Sequence, residues 1–231
     1  MEPIGVVRSP YTEKFGIPRQ PGLAPSVRAR VELDPRRVQP EALRGLSACS
    51  HVWLLTLLHA AKPTGHATVR PPRLGGNIRL GALATRSPFR PNPIGLSAVA
   101  LVELAELALV VAGADLLDGT PVLDIKPYVP YCDAIADARC DWARAPAPAL
   151  TVTFSPAAAR SLADDPARDV LRAAIVESLR WDPRPAYRRD DPGPFAARMC
   201  DVDVRFQVRG DVVVVEALDR GPTPGEREGS W

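Results

Sequence analysis

Between Glu41 and Glu103 the sequence carries no aspartate or glutamate. That stretch holds Arg44, Lys62, Arg70, Arg73, Arg79, Arg86 and Arg90, together with all three histidines. Lysine is scarce too, three residues against 26 arginines. An arginine-rich composition explains arginine in place of lysine, but not the missing acids. Through residue 102 fourteen basic residues face five acidic ones, a net of +9; the remainder nets −7, so the overall +2 hides the asymmetry. One-signed stretches of this kind fit a polyanionic partner.

Other absences exclude whole classes. No apolar run approaches the roughly 20 residues that cross a bilayer; the longest, residues 52–58, has the length of a buried strand. The start, Met-Glu-Pro-Ile-Gly, has neither a basic nor an apolar leader region, so the protein is expected in the cytoplasm and off the membrane. The four cysteines (Cys49, Cys132, Cys140, Cys200) form no C-x-x-C, and the histidines form neither H-x-x-x-H nor H-E-x-x-H, so no metal is expected. There is no G-x-G-x-x-G, no Walker A sequence and no G-x-S-x-G, which counts against Rossmann and P-loop sites and against a hydrolase elbow.

What the sequence does contain is mainly β. Short apolar or alternating runs bounded by Gly and Pro predict strands over 5–8, 28–33, 51–58, 77–84, 94–103, 107–114 and 122–126. One helix is expected over 40–46, with Pro40 in its first turn. Many short strands without alternating long helices argue for a barrel or sandwich, not a doubly wound sheet. At residues 144–149 the alternation of Ala and Pro reads as a linker or wrap. Beyond it a small α+β unit is expected. Asp165 reads as a helix N-cap, Val170, Leu171, Ala174, Ile175 and Leu179 recur at helical spacing, and Val202–Val208 alternates into an Arg209-Gly210 turn and a second strand. The expected division is 1–143, 150–219 and a loose tail, 220–231.

Three segments are odd for scaffolding. Residues 8–22 form a polar loop after the first strand. Residues 85–95 hold three prolines that stiffen a loop presenting Arg86, Phe89, Arg90 and Asn92. Residues 115–128 contain the Asp118-Gly119 turn, which is also ordinary hairpin chemistry. Read from residues alone, these are rigid loops displaying Arg and Asp around a polar ligand; no reaction follows from them.

At these loops the sequence resembles a known family. Ile4–Tyr11, Pro18–Gly22, Val69–Asn77, Thr85–Gly95, Asp118–Tyr128 and Asp182–Arg188 occur in the order and spacing of the TsaA/TrmO family, the last matching the C-terminal unit of its bacterial branch. The resemblance runs from residue 4 to about 217. It implies a small, non-Rossmann β-barrel methyltransferase that uses S-adenosyl-L-methionine (SAM). It also implies a homodimer, and a substrate of N6-threonylcarbamoyladenosine beside the anticodon in the anticodon loop of threonine tRNA. By the same resemblance Pro18, Arg19, Gln20, His59, Ala60, Arg86, Leu96, Leu117, Asp118, Gly119 and Thr120 line the cofactor site; Ala60 stands where the family often has a polar residue.

These residue types suit that ligand. Arg19 or Arg86 forks a carboxylate, Asp118 accepts from hydroxyl or amino groups, and Leu96 offers adenine an apolar wall. Methyl transfer from a sulfonium depends on in-line placement, and the acceptor nitrogen must lose a proton, for which Asp118 and Asp133 are the candidate bases. Tyr128, Tyr131 and Phe89 are candidates to stack on bases. Arg70, Arg73, Arg79 and Arg90 are the candidates for anticodon-loop phosphates. Arg184, Tyr187, Arg188 and Arg189 extend that surface or complete a dimer. Two other readings stay open: a non-catalytic RNA-binding barrel, and a SAM-dependent enzyme acting on a small molecule.

Overall fold

Alternation of apolar and polar residues puts one face of a strand inside and the other outside, and here it closes a barrel. The computed structural model describes residues 1–61, 66–74, 77–144 and 147–220. Its first unit contains β1 (Gly5–Arg8), β2 (Arg28–Leu33), β3 (His51–Leu57), β4 (Thr68–Val69), β5 (Leu80–Gly81), β6 (Ile94–Ala105), β7 (Ala108–Ala112) and β8 (Pro121–Pro127). Six of them close in the order β1-β2-β7-β6-β3-β8, every pair antiparallel. In β3, Val52, Leu54 and Thr56 point inward and are fully buried, while Trp53, Leu55 and Leu57 face out. Val7, Val31, Leu54, Val99, Leu109, Val111 and Val122 fill the interior. Closure leaves no free sheet edge.

Because neighbours alternate in direction, six chain segments meet at one rim. The ends of β1, β7 and β3 stand there beside the starts of β2, β6 and β8. All three unusual loops leave from this rim. The short helix α1 (Pro130–Asp133) lies past the end of β8, at the other rim.

A second unit holds β9 (Thr151–Phe154), α2 (Pro156–Ala163), α3 (Arg168–Leu179), β10 (Phe195–Met199), β11 (Val202–Arg209) and β12 (Val212–Asp219). Its sheet runs β10-β11-β12-β9, with β9 parallel to β12. The β11–β12 hairpin stands as the alternation predicts, turning at Gly210 with φ +60°.

Several expectations change. Over 77–84 only Leu80 and Gly81 are strand, paired to β4, followed by a 3₁₀ turn at Ala82–Ala84; Ile78 is exposed and has no apolar layer to pack on. The 40–46 helix is two 3₁₀ turns, Pro40–Leu43 and Leu46–Ala48, separated by Gly45 in the left-handed region (φ +87°). Asp165 caps a tight turn, not the helix: its carboxylate accepts from the Ala167 N–H at 2.7 Å, and α3 begins at Arg168. Helix α2 escaped the sequence reading, although Ser155 caps it and Pro156 occupies its first position. Residues 145–146 of the expected linker and 221–231 of the expected tail lie outside the described residues.

The largest departure concerns residues 10–27. Tyr11, Ala24 and Val27 are buried, with Phe15 and Ile17 against them, in the core of the second unit rather than that of the barrel. Phe15 stacks on Phe206 with ring centres 6.2 Å apart. A Cβ on Gly16 would stand 3.0 Å from the Ala197 Cβ, and φ is +94°, so glycine is favoured at this close approach.

Candidate functional site

At the shared rim, the turn from residue 117 to 120 is held by backbone. Asp118 N–H donates to Tyr11 O at 2.8 Å and Gly119 N–H to Val7 O at 2.9 Å. The Thr120 hydroxyl closes the turn on Leu117 O at 2.6 Å. Gly119 sits at φ +75°, and a Cβ there would meet nothing within 4 Å: its need for glycine is conformational, and the space above it is open. Asp118 Oδ1 accepts the Ser9 N–H at 2.9 Å; its second oxygen has no hydrogen-bond partner among the described residues. The 117–120 turn and the 9–22 loop are therefore one structure.

The other elements join it. Arg86 donates from Nη1 to Gln20 Oε1 at 2.7 Å, linking the proline-stiffened loop to Pro18-Arg19-Gln20. Lys14 Nζ donates to Ala60 O at 2.6 Å, tying the loop to the turn after β3. The side chain at 60 is thus immaterial to this contact, while His59 beside it is exposed and not a core residue. Beneath Arg86 lies Asp115, which accepts from Ser97 Oγ at 2.6 Å. Burial raises the Asp115 pKa, and the Ser97 hydroxyl and Arg86 partly offset it. Two buried hydroxyls in these elements, Thr12 Oγ1 and Thr56 Oγ1, have no partner among the described residues. A Cβ on Gly95 would lie 2.4 Å from that Thr56 hydroxyl.

The structure thus brings Pro18, Gln20, His59, Ala60, Arg86, Leu117, Asp118, Gly119 and Thr120 to one place, from four separate segments. Others take different positions. Arg19 is turned toward the second unit, where its Nη2 donates to Asp182 O at 3.2 Å and Arg184 O at 2.8 Å. Burial lowers the Arg19 pKa; Asp182 pulls it back and Arg189 adds to the depression. Leu96 is on the outer face of β6 and 54% exposed, so it borders the rim from outside. Asp133 is at the opposite rim of this chain, where its Oδ2 accepts from Trp53 Nε1 at 2.9 Å and from Val129 N at 2.8 Å. Those bonds, the backbone one foremost, lower its pKa, the wrong direction for a base. As candidate bases Asp118 and Asp133 do not meet within the chain.

Among the candidate phosphate contacts, Arg70 is exposed and Arg79 is exposed with one bond to Thr68 Oγ1 at 3.1 Å. Arg90 is a loop brace, donating from Nη1 to Thr85 O at 2.8 Å and Ser87 O at 3.2 Å. The side chain of Arg73, and the whole of Lys62, Gly75 and Gly76, lie outside the described residues. Sequence reasoning missed Lys14, Ser97 and Asp115 as members of the site. Only Asp115, three residues before Asp118, offered a signal.

The rim therefore combines a guanidinium, a carboxylate with a free oxygen and backbone polar groups around open space. That set can hold a zwitterionic, hydroxyl-bearing ligand. In comparisons with known proteins, a family model described as the tRNA-methyltransferase O N-terminal domain matches residues 6–134, and one for the TrmO C-terminal domain matches 147–221. An Escherichia coli protein named tRNA (adenine(37)-N6)-methyltransferase is 45% identical over 94% of this chain and 97% of its own. A Pseudomonas aeruginosa protein with the provisional name S-adenosylmethionine-dependent methyltransferase RcsF is 50% identical over 93% and 95%. A crystal structure of TrmO from P. aeruginosa superposes with a TM-score of 0.79 at 43% identity, covering 95% of this chain and 96% of that one.

Proposed function

Since this chain belongs to the tRNA-methyltransferase O family, we propose that its substrate is N6-threonylcarbamoyladenosine at position 37 of threonine tRNA. At the coarser level it is a SAM-dependent tRNA N6-methyltransferase built on a closed β-barrel. The observation that carries the site is the Arg86–Gln20 hydrogen bond, which joins segments 66 residues apart at the mouth where Asp118 keeps a free oxygen.

The residues present fit the cofactor. The free donors of Arg86 suit its carboxylate, and the carbonyls of the 117–120 turn suit its amino and ribose donors. When bound, SAM supplies an electrophilic methyl group on a sulfonium. The chain's own task is to hold the acceptor nitrogen in line with that methyl and to receive the proton that N6 gives up. We assign the proton to the free oxygen of Asp118, the one candidate base at this rim. Arg19 supports the loop from behind and does not fork the cofactor carboxylate.

Arg70 and Arg79 are the side chains assigned to phosphates of the anticodon loop. We place the enzyme in the cytoplasm as a homodimer that meets along the outer face of β6, where Ile94 and Leu96 are 44% and 54% exposed. No helix among the described residues is long and apolar enough to cross a membrane. A one-chain mass in light scattering would remove the dimer.

The deciding assay is transfer of labelled methyl from SAM to tRNA purified from cells able or unable to make threonylcarbamoyladenosine. Label is expected only on modified threonine tRNA. Label on unmodified tRNA overturns the threonylcarbamoyl requirement, and SAM binding without transfer to any tRNA favours a small-molecule substrate.

A further inference from the structure

Tyr187 is the one tyrosine of the second unit, and its side chain is 85% exposed in the turn Ala186–Arg188. An aromatic ring left in water on a mobile tip needs no explanation, but this tip is fixed. Arg184, 6% exposed, turns its fork onto the same loop. Its Nε and Nη2 donate to the Asp182 carboxylate at 2.8 and 3.0 Å, and its Nη1 to Arg189 O at 2.8 Å and Asp191 O at 3.0 Å. Arg188 donates from Nε to Asp191 Oδ2 at 2.9 Å and lies 4.8 Å over the Phe195 ring. Asp182 adopts φ +50°, a conformation L-residues rarely take, which the surrounding bonds hold in place. Tyr187 itself has neither a hydrogen bond nor a ring partner among the described residues.

The loop also braces two of the segments that leave the active rim. Carbonyls of Asp182 and Arg184 receive Arg19 of the cofactor loop, and Arg189 Nη2 reaches across to Pro72 O at 3.2 Å. Pro72 lies two residues after Arg70, the exposed arginine assigned to phosphate. Residues 182–191 hold three arginines and three aspartates, and two of those arginines are committed internally. What the loop offers is therefore not charge. It offers a rigid aromatic face beside a cationic one.

We propose that Tyr187 is a stacking platform for an unpaired base of the bound tRNA, so that the second unit forms part of the substrate surface. This rests on the tRNA reading above. A flat π-face accepts any base, while Arg70 and Arg79 meet the adjoining phosphates. The arrangement makes Arg184 a positioning residue, with its side chain aimed at the loop and not at the substrate.

The test is binding of threonine tRNA by the full-length protein, its Tyr187→Ala variant and its Tyr187→Phe variant, with SAM binding and solution mass measured on each. Tyr187→Ala is expected to weaken tRNA binding about tenfold, while Tyr187→Phe stays near wild type. SAM affinity, melting temperature and mass should not move, since the ring is outside the core. Wild-type tRNA affinity in Tyr187→Ala overturns the proposal alone. A change of mass with unchanged tRNA affinity overturns it too and makes the loop a protein contact. A wild-type protein that binds no tRNA would instead sink the tRNA reading on which this one stands.

Discussion

Arginine does three different jobs at the rim of this barrel, and the guanidinium fork is the reason. Arg86 reaches toward open space and is steadied by one bond to Gln20. Arg90 and Arg19 are turned onto backbone carbonyls, where a planar fork with five donors satisfies acceptors that a lysine would leave single. Arg184 is the extreme case, buried and making four side-chain hydrogen bonds. Replacing it with alanine strands the Asp182 carboxylate and two carbonyls, so Arg184→Ala is expected to cost about 3–5 kcal/mol in urea unfolding. Where the protein still folds, SAM affinity should fall as well, because Arg19 loses its ledge. Asp133 makes a contrasting case. Asp133→Asn should leave methyl transfer in place while perturbing the fluorescence of Trp53, whose indole it accepts from. Its lowered pKa means that its contribution is present at neutral pH and fades as pH falls through that value, below the ordinary carboxylate range. Loss of transfer with stability unchanged would restore it as a base.

At the scale of elements, the strands were legible and their partners were not. The runs at 5–8 and 28–33 read as strands because a barrel wall is wet on one side, and period-two alternation survives in the sequence. The 77–84 run alternated as well, but a strand without a neighbouring layer shrinks to the two residues of β5. The site loops were visible through their prolines and the Asp-Gly turn. That Arg19 faces Asp182, or that Phe15 belongs with Phe206, depends on contacts across more than 160 positions, and no local pattern records those. Polar residues in 8–22 masked the apolar ones that matter for packing. Tyr11 shows the consequence: buried, and donating to or accepting from Ser178 Oγ at 2.9 Å, its hydroxyl is pushed up to about 12. Burial is the main cause, against a smaller downward pull from Ser178. Since the folded pKa exceeds the unfolded one, the stabilisation is complete below about pH 10 and is lost as pH rises through the folded value. Absorbance titration should therefore find one of the four tyrosines ionising only near pH 12, together with unfolding. A Tyr11 that titrates at pH 10 in the folded protein would contradict its packing.

Across the whole molecule, the positive first 102 residues and the negative remainder orient a polyanion toward the barrel's loops. Binding of tRNA should weaken steeply with salt, and Arg70→Ala and Arg79→Ala should each lower the log–log slope by roughly 0.7–0.9. Variants with lower affinity but an unchanged slope would take both residues off the phosphates. The two units are coupled just as strongly by packing, because residues 10–27 leave the barrel and complete the other core. This has a consequence for synthesis. The barrel strands are all available once residue 127 has been made, yet the 10–27 loop waits for β11 and β12. At ordinary elongation rates that is on the order of ten seconds more. A nascent or prematurely terminated chain is thus a barrel whose 10–27 loop is not yet set.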